Sequence, residues 1–491
     1  MTDHSRRDFL KTMAATPLAV RSAWVDAAPA AKQAGGAERP NVLVILTDDQ
    51  RYDALGCAGH PFLRTPHLDR LAAEGARFAN AFVTTSLCSP SRASLLSGLY
   101  AHRHRILNNF TDFPNDLPSY PRRLRAAGYE TAYIGKWHMG EQSDEIRPGF
   151  DFWMSHKGQG NYFDTEFNIN GARRVIKGYY TTVVTDHAVE WLQRPHRRPF
   201  LLVLGQKAPH GGPIVPEPKY EHALDDVDVA KPANADSYRD GKPAWLEQSY
   251  PTWHGGAGPL YNYKDYGKFV RAYYGTILSV DDSVGRIYEA LKGTGQLDNT
   301  LIVFTSDNGF ALGEHGRVDK RTMYEESIRV PLLVRYPKWI ARPTIVREMV
   351  LHLDLAPSIL DLCGVEPLAN AHGASWKRLL AGDTRGWRNS WFYQYNYEKE
   401  FPYTPNVRGV RTDEWKYIHY PHGDGGPDRY TMELYNVKDD PLEMKNLIDD
   451  PKRAANVKEL KAELARLMEA AGALPDQMPL DEGIINVLPK F

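Results

Sequence analysis

Four uninterrupted apolar runs, each broken at its carboxyl end by small or polar residues, constrain the fold of this chain more than any other feature. Asn41-Val-Leu-Val-Ile-Leu46 ends in Thr47-Asp48-Asp49, and Thr131-Ala-Tyr-Ile134 ends in Gly135-Lys136. Phe200-Leu-Leu-Val-Leu204 ends in Gly205, and Leu301-Ile-Val-Phe304 ends in Thr305-Ser306-Asp307-Asn308. Runs without alternation read as strands buried on both faces, as in a parallel sheet covered by helices. Helix-like segments lie between them, Leu117 to Ala127 and Gly275 to Leu291, the latter with Leu278, Val280, Ile287 and Leu291 as apolar positions. This alternation predicts an α/β fold, a large domain with a mostly parallel central sheet flanked by helices. Ligands in such sheets bind at the carboxyl ends of the strands, where the polar residues sit here.

Residues 211–266 are rich in Pro, Gly, Trp and Tyr with little periodicity, and read as a long binding insertion on the scaffold. After Gly364 the pattern changes. Trp391-Phe-Tyr393, Val407-Arg-Gly-Val410 and Lys416-Tyr-Ile-His-Tyr420 are short aromatic segments that predict an antiparallel sheet. Glu433-Leu-Tyr-Asn-Val437 follows, then a helix with Val457, Leu460, Leu464, Leu467 and Met468 as its apolar stripe. The expected organisation is a leader and linker over 1–39, a catalytic domain over 40–375, and a smaller C-terminal α+β subdomain over 376–491.

The chain has 491 residues and a net charge of −1 with acids and bases interspersed, so no polyanion-binding surface is announced and nucleic acid is not expected as a partner. Its 27 Tyr and 11 Trp suit carbohydrate rings but also simply fill cores. Ser5-Arg6-Arg7-Asp8-Phe9-Leu10-Lys11, with a mildly apolar stretch to Val20 and Ala27-Ala28-Pro29-Ala30-Ala31 beyond, resembles a twin-arginine export signal. Nothing later is apolar for long enough to span a membrane. A periplasmic or secreted location is the expectation. Cys57, Cys88 and Cys363 are an odd number without metal-like spacing, which announces neither a disulfide framework nor a zinc site.

Cys88 stands apart from the other two. In Cys88-Ser-Pro-Ser-Arg92, continuing Ala-Ser-Leu-Leu-Ser-Gly98, the thiol and the guanidinium fall four residues apart on the first turn of a helix. A thiol at a helix N-terminus beside an arginine is expected to be activated and to attract anions. The string resembles the signature of type I sulfatases of the alkaline-phosphatase-like superfamily. In that family the cysteine is oxidised by a formylglycine-generating maturation enzyme, and the hydrated aldehyde supplies the nucleophile.

Asp48-Asp49 and Asp307-Asn308 sit at the ends of matching strands. Either pair alone is equally well explained as helix capping, but together they form a hard all-oxygen set suited to calcium, with magnesium the alternative. The resemblance implies these four as metal ligands and the modified Cys88 as a fifth. Gly135-Lys136-Trp137-His138-Met-Gly140 resembles the second sulfatase signature. Lys136 and His138 share a side if the segment is extended. Ala208-Pro209-His210, and Lys320 after Gly313-Glu-His-Gly316, correspond to the family's remaining histidine and lysine.

A sulfate ester presents negative oxygens, so Arg92, Lys136, Lys320 and the metal are expected to hold it. One hydroxyl of the hydrated aldehyde then attacks sulfur, and His210 protonates the departing alcohol or Lys320 assists it. His138 takes a proton from the second hydroxyl to release sulfate. Asp48-Asp-Gln-Arg-Tyr-Asp53, Tyr179-Tyr180 and Phe401-Pro-Tyr-Thr-Pro-Asn-Val-Arg-Gly-Val-Arg-Thr412 are similar to N-acetylglucosamine-6-sulfatases and bacterial glycan sulfatases. That implies a sulfated glycan as substrate and the 6-O-sulfate of an amino sugar as the target. His102, Arg103 and His104 either line the pocket or form a solvated basic loop. The rival readings are a phosphonate or phosphate monoester hydrolase of the same superfamily and a catalytically silent binder of sulfated glycans.

Overall fold

The structure, a computed structural model, describes residues 39–239, 241–258, 266–340 and 343–485. The twin-arginine segment and the cleavage region after it lie outside the described residues. The four apolar runs form four adjacent strands: β1 (Asn41–Asp48), β2 (Glu130–Gly135), β3 (Phe200–Pro209) and β4 (Thr300–Ser306). They lie in the order β4-β1-β3-β2, every pair parallel. Thr344–Val346, Ala76–Phe78 and Leu332–Arg335 extend the sheet beyond β4, and Phe152–Ser155, Glu166–Ile169 and Ala172–Val175 extend it beyond β2, giving ten strands. The antiparallel pairs are confined to these flanks.

Burial explains why the central strands lack alternation. Val42, Val44 and Leu46 enter one core cluster while Leu43 and Ile45 enter the other, so both faces of β1 are covered. Each such side chain contributes roughly 1.5–3 kcal/mol by leaving water. Helices α1 (Cys88–Ser97), α2 (Tyr180–Leu192) and α3 (Tyr266–Gly293) pack around this sheet, with α2 and α3 against β3. The helix expected over 117–127 spans Tyr120–Ala126, because Pro118 and Ser119 precede its first turn and Pro121 sits within it. α3 begins nine residues before the expected Gly275, since Phe269, Val270 and Tyr273 already carry its apolar face.

The C-terminal segment holds a four-stranded antiparallel sheet, β5 (Ser390–Tyr395), β6 (Val407–Thr412), β7 (Trp415–His419) and β8 (Glu433–Asn436), in sequential order. Helix α4 (Ala454–Ala470) packs on β5, β6 and β7. It buries Leu460, Leu464 and Met468, with Val457 and Leu467 half-buried beside them. Among the described residues, no helix is long and apolar enough to cross a membrane.

Candidate active site

Strand order dictates the site. With β4, β1, β3 and β2 side by side and parallel, their carboxyl ends deliver Asp307-Asn308, Asp48-Asp49, Lys207 with His210, and Lys136 with His138 as four neighbouring groups. The β1–β4 ladder carries this through to the acidic residues: Asp307 N donates to Thr47 O at 3.0 Å and Asp49 N to Asp307 Oδ1 at 3.1 Å. Asp49 adopts φ 66°, a conformation uncommon for a side chain with a Cβ, and Tyr273 Oη fixes it by donating to Asp49 O at 2.6 Å. Gly135 has φ +106°, and a Cβ there would lie 2.0 Å from Gly205 O, so β2 and β3 approach this closely through glycine alone.

α1 enters from the side with Cys88 as its first residue and packs completely, leaving the cysteine with no exposed surface. Cys88 Sγ is 3.6 Å from Asp48 Oδ1, and ligand atoms of Asp48, Asp49, Cys88 and Asp307 all lie within 4.8 Å of one another. Arg92, one turn on, donates from Nη2 to Asp48 Oδ2 (2.7 Å), from Nε to Asp307 Oδ2 (2.8 Å) and from Nη1 to Lys136 O (2.8 Å). Its charge is thereby committed to carboxylates. The expected activation of the thiol is therefore corrected: burial, followed by the charge of Asp48, pushes Cys88 well above the ordinary thiol range.

Burial alone would raise Asp48, but Lys136, His210 and Arg92 together hold it well below the usual carboxylate range. Burial raises Asp49, and burial with the neighbouring Asp48 pushes Asp307 up to about 7. Three carboxylates are thus crowded together out of water, with Arg92, Lys136 and Lys320 as their paired cations. Asn308 Nδ2 donates to Asp49 Oδ1 at 2.7 Å, while its Oδ1 is buried without a hydrogen-bond partner. An orphaned amide oxygen among crowded carboxylates is the donor set a hard divalent cation satisfies.

Lys320 Nζ donates to both oxygens of Asp49, at 2.8 and 2.6 Å, and Lys136 Nζ pairs with Asp48. His210 Nε2 stands 3.9 Å from Asp48 Oδ1 and 3.7 Å from Asp49 Oδ2, while Nδ1 donates to Gly211 O at 2.7 Å. Burial, then Lys136 and Lys320, press His210 well below its ordinary range. The condition for Lys136 and His138 to share a side, an extended 136–138, is not met. β2 ends at Gly135 and His138 takes φ 46°, so strand alternation does not align the two side chains. Gln159 borders both instead: its Oε1 accepts from Lys136 Nζ, while its amide nitrogen, itself a donor, only abuts His138 Nε2 at 3.1 Å. Glu141 Oε1 lies 2.8 Å from the same Nε2, which directs that proton to Glu141 and leaves the buried Nδ1 bare.

All ten residues singled out from the sequence therefore meet at one end of the sheet. His102, Arg103 and His104 do not line the cleft. The ten residues of α1 carry the chain about 15 Å from Cys88 before they begin. His102 Nε2 instead donates to Ala471 O at 2.9 Å, and His104 Nε2 pairs with Ser94 Oγ at 3.0 Å. Gln159, Glu141 and Lys207 were missed. Lys207 had a signal, as the sole charge inside the buried strand β3, whereas Gln159 stands in a glycine-flanked loop without a motif. The site opens into a cleft of about 710 Å³ whose lining includes Gln159, Lys207, Trp253, His254, Phe310 and Phe401. Trp253 and His254 come from the expected insertion, which holds only the short helix Ala244–Ser249 and a single 3₁₀ turn among its described residues.

The sulfatase family model matches residues 40–365, and the model for the N-sulphoglucosamine sulphohydrolase C-terminal region matches residues 313–470. The chain is 34% identical over 487 residues to the N-acetylglucosamine-6-O-sulfatase of Bacteroides thetaiotaomicron, covering 86% of this chain and 85% of that protein. To the N-acetylglucosamine-6-sulfatase of Homo sapiens it is 31% identical, covering 74% of this chain and 69% of that one. A solved structure in complex with its substrate D-glucosamine-2-N,6-O-disulfate superposes with a TM-score of 0.82 at 32% identity, covering 91% of this chain and 100% of that chain. With a family model spanning more than half of its length and relatives matched along most of theirs, this chain belongs to the sulfatase family and is a sulfuric ester hydrolase.

Proposed function

We propose that this enzyme removes the 6-O-sulfate of an amino sugar in a sulfated glycan, through a formylglycine made from Cys88 by a maturation enzyme and with a calcium ion at Asp48, Asp49, Asp307 and Asn308. The observation that carries this reading is the convergence of Cys88 with three buried carboxylates and an orphaned amide oxygen, ringed by Lys136, Lys320, His138 and His210. Magnesium suits the same oxygen donors at shorter distances. Similarity to N-acetylglucosamine-6-sulfatases supports the substrate class, as do the aromatic residues Trp253, Phe310 and Phe401 on the cleft.

A bound divalent cation supplies Lewis-acid polarisation and charge to an approaching sulfate. Formylglycine held at position 88 would supply, as its hydrate, a hydroxyl nucleophile and a second hydroxyl for sulfate release. Arg92 holds Asp48 and Asp307 in their ligating orientation. Lys136 and Lys320, each paired with an aspartate, bring positive donors to sulfate oxygens. His210 or Lys320 delivers a proton to the departing alcohol, Lys320 being the one that Asp49 keeps protonated. His138, aligned by Glu141, accepts a proton at its bare Nδ1.

We assign residues 40–375 to the catalytic domain and 376–491 to a C-terminal subdomain, and read the leader as a twin-arginine signal for export to the periplasm or beyond. Peptide mass spectrometry across Cys88, on protein made beside a formylglycine-generating system, is paired with sulfate release from an aryl sulfate. An aldehyde at position 88 with metal-dependent release supports the reading. A fully converted Cys88 that hydrolyses an aryl phosphate or phosphonate but no sulfate ester sinks it in favour of the phosphoryl reading. An unmodified thiol in protein from the native host favours the silent binder.

A further inference from the structure

Three lysines are buried around the site, and two of them are paired. Lys136 pairs with Asp48 and Lys320 with Asp49. Lys207 is also buried, at 5% exposure, yet among the described residues it has no carboxylate within ion-pairing distance. Its Nζ rests 3.3 Å from Gln159 O and 5.1 Å from the centre of the Tyr162 ring. Tyr162 is itself fixed, stacked on Tyr179 at 5.7 Å and donating from its hydroxyl to His210 O at 3.0 Å. Burying an unpaired ammonium costs several kcal/mol, and Lys207 is the one charged residue in a strand buried along its whole length.

Lys207 lines the cleft, and Lys157 lines it too, exposed, its ammonium without a hydrogen bond or ion pair among the described residues. The carboxylates on the same lining are directed elsewhere than Lys207: Asp49 to Lys320, Asp319 to Arg321, and Glu141 to the Nε2 of a neutral His138. Lys320 and Arg321 on this lining are spent on carboxylates, so Lys207 and Lys157 are the lining cations that no carboxylate meets among the described residues. Gln159 separates this charge from the reacting centre. Its side chain meets Lys136 and His138, whereas its backbone carbonyl meets Lys207.

We infer that Lys207, with Lys157 beyond it, forms a second anion subsite that binds a negatively charged substituent of the substrate other than the sulfate being removed. This rests on the proposed reading of the cleft as the glycan site. An N-sulfate on the same amino sugar and the carboxylate of an adjoining uronic acid share the required chemistry. Burial, followed by repulsion from Lys136, pushes Lys207 down to about 7, so an anion docked beside it would also restore its charge.

The test compares wild type, Lys207→Met and Lys207→Arg, all with formylglycine at position 88. The readout is the ratio of kcat/KM for glucosamine-2-N,6-O-disulfate to that for N-acetylglucosamine-6-sulfate. Lys207→Met should lower this ratio about 10- to 100-fold, the worth of a charge-assisted hydrogen bond, chiefly through KM, and Lys207→Arg should restore most of it. A disaccharide placing a uronate beside N-acetylglucosamine-6-sulfate replaces the disulfate in a second arm. Selective loss in that arm alone supports the subsite and assigns it to the carboxylate. An unchanged ratio in both arms overturns the inference. Calorimetric binding of glucosamine-2-N-sulfate and of glucosamine to wild-type protein with unmodified Cys88 needs neither turnover nor a variant. Tighter binding of the N-sulfate, weakened in Lys207→Met, supports the subsite even if no ester is hydrolysed and the proposed function fails. Equal affinity for both sugars, together with an unchanged ratio for the uronate disaccharide, overturns it while leaving that function standing.

Discussion

Arg92 Nε donates to Asp307 Oδ2 at 2.8 Å, tying the second turn of α1 to the end of β4, and its Nη2 holds Asp48 on β1 at 2.7 Å. One side chain therefore fixes two of the carboxylates around Cys88. Arg92 acts as a positioning residue, because its bonded nitrogens face protein oxygens rather than the cleft. Removing it leaves two buried carboxylates short of compensation, which costs about 3–5 kcal/mol. Arg92→Ala is expected to lower the unfolding temperature sharply and abolish turnover. Arg92→Lys should recover part of the stability but little activity, because an ammonium cannot span both carboxylates in a plane. Thermal denaturation beside aryl sulfate turnover reads both. Wild-type stability in Arg92→Ala would remove the clamp from the account.

Gly135 and Gly205 let β2 and β3 close up where Lys136 leaves the sheet. Gly135→Ala places a Cβ 2.0 Å from Gly205 O at φ +106°, so both the strand spacing and the backbone conformation are violated. Gly59 is the control: its φ is +90° but nothing lies within 4 Å of an added Cβ. Gly59→Ala should cost about 1 kcal/mol from backbone strain alone, whereas Gly135→Ala should cost more than about 2 kcal/mol and lower kcat. Equal losses in the two variants would show that the close approach is not what the glycine serves.

The parts of this site that the sequence disclosed are those set by periodicity and short motifs. Continuous apolar runs placed Asp48-Asp49 and Asp307-Asn308 at strand ends, and adjacency of β1 and β4 then brought them together. What the sequence hid depends on three-dimensional neighbours. The thiol state of Cys88 turns on Asp48, 40 positions away, and on Arg92 spending its charge on carboxylates. Lys136 and His138 both border Gln159, which comes from a loop without periodicity. The placement of His102 turns on Ala471 at the end of α4, a contact local patterning does not encode.

His104 gives a pH dependence with a definite sign. Burial, followed by the neighbouring His102, pushes it down to about 3, against an ordinary value near 6.5. The folded protein thus keeps His104 neutral across pH 6.5 to 3 while the unfolded chain takes up a proton. Stability must fall as pH drops through that window, by about 1.4 kcal/mol per pH unit for this one group. His104→Gln removes the proton uptake, so it should be less stable than wild type near pH 7.5 and lose less on acidification to pH 4.5. His352 and His156, also pushed down to about 3 by burial, add slope of the same sign, and Asp307, pushed up to about 7, adds the opposite, so the difference between variant and wild type is the readout. Unfolding temperature measured against pH tests this, and parallel curves for variant and wild type would rule it out.

The orphaned Oδ1 of Asn308 leads to a prediction about metal that needs no catalysis. A cation that binds the folded site stabilises it by RT ln(1 + [L]/Kd), about 2.7 kcal/mol at a hundredfold excess over Kd. Calcium added to chelator-treated protein should therefore raise the unfolding temperature, and a chelator should reverse the rise. Asn308→Leu keeps the volume but removes the oxygen, so the calcium-dependent rise should shrink or vanish. Without calcium the variant should be modestly less stable than wild type, since it loses the Nδ2 bonds to Asp49 and Gly309 O and only partly recovers this by no longer burying an unsatisfied oxygen. Substituting magnesium for calcium separates the two candidate ions, because magnesium demands a tighter octahedral shell. A wild-type unfolding temperature indifferent to both ions and to chelator would mean that the crowded carboxylates are balanced by Arg92, Lys136 and Lys320 alone.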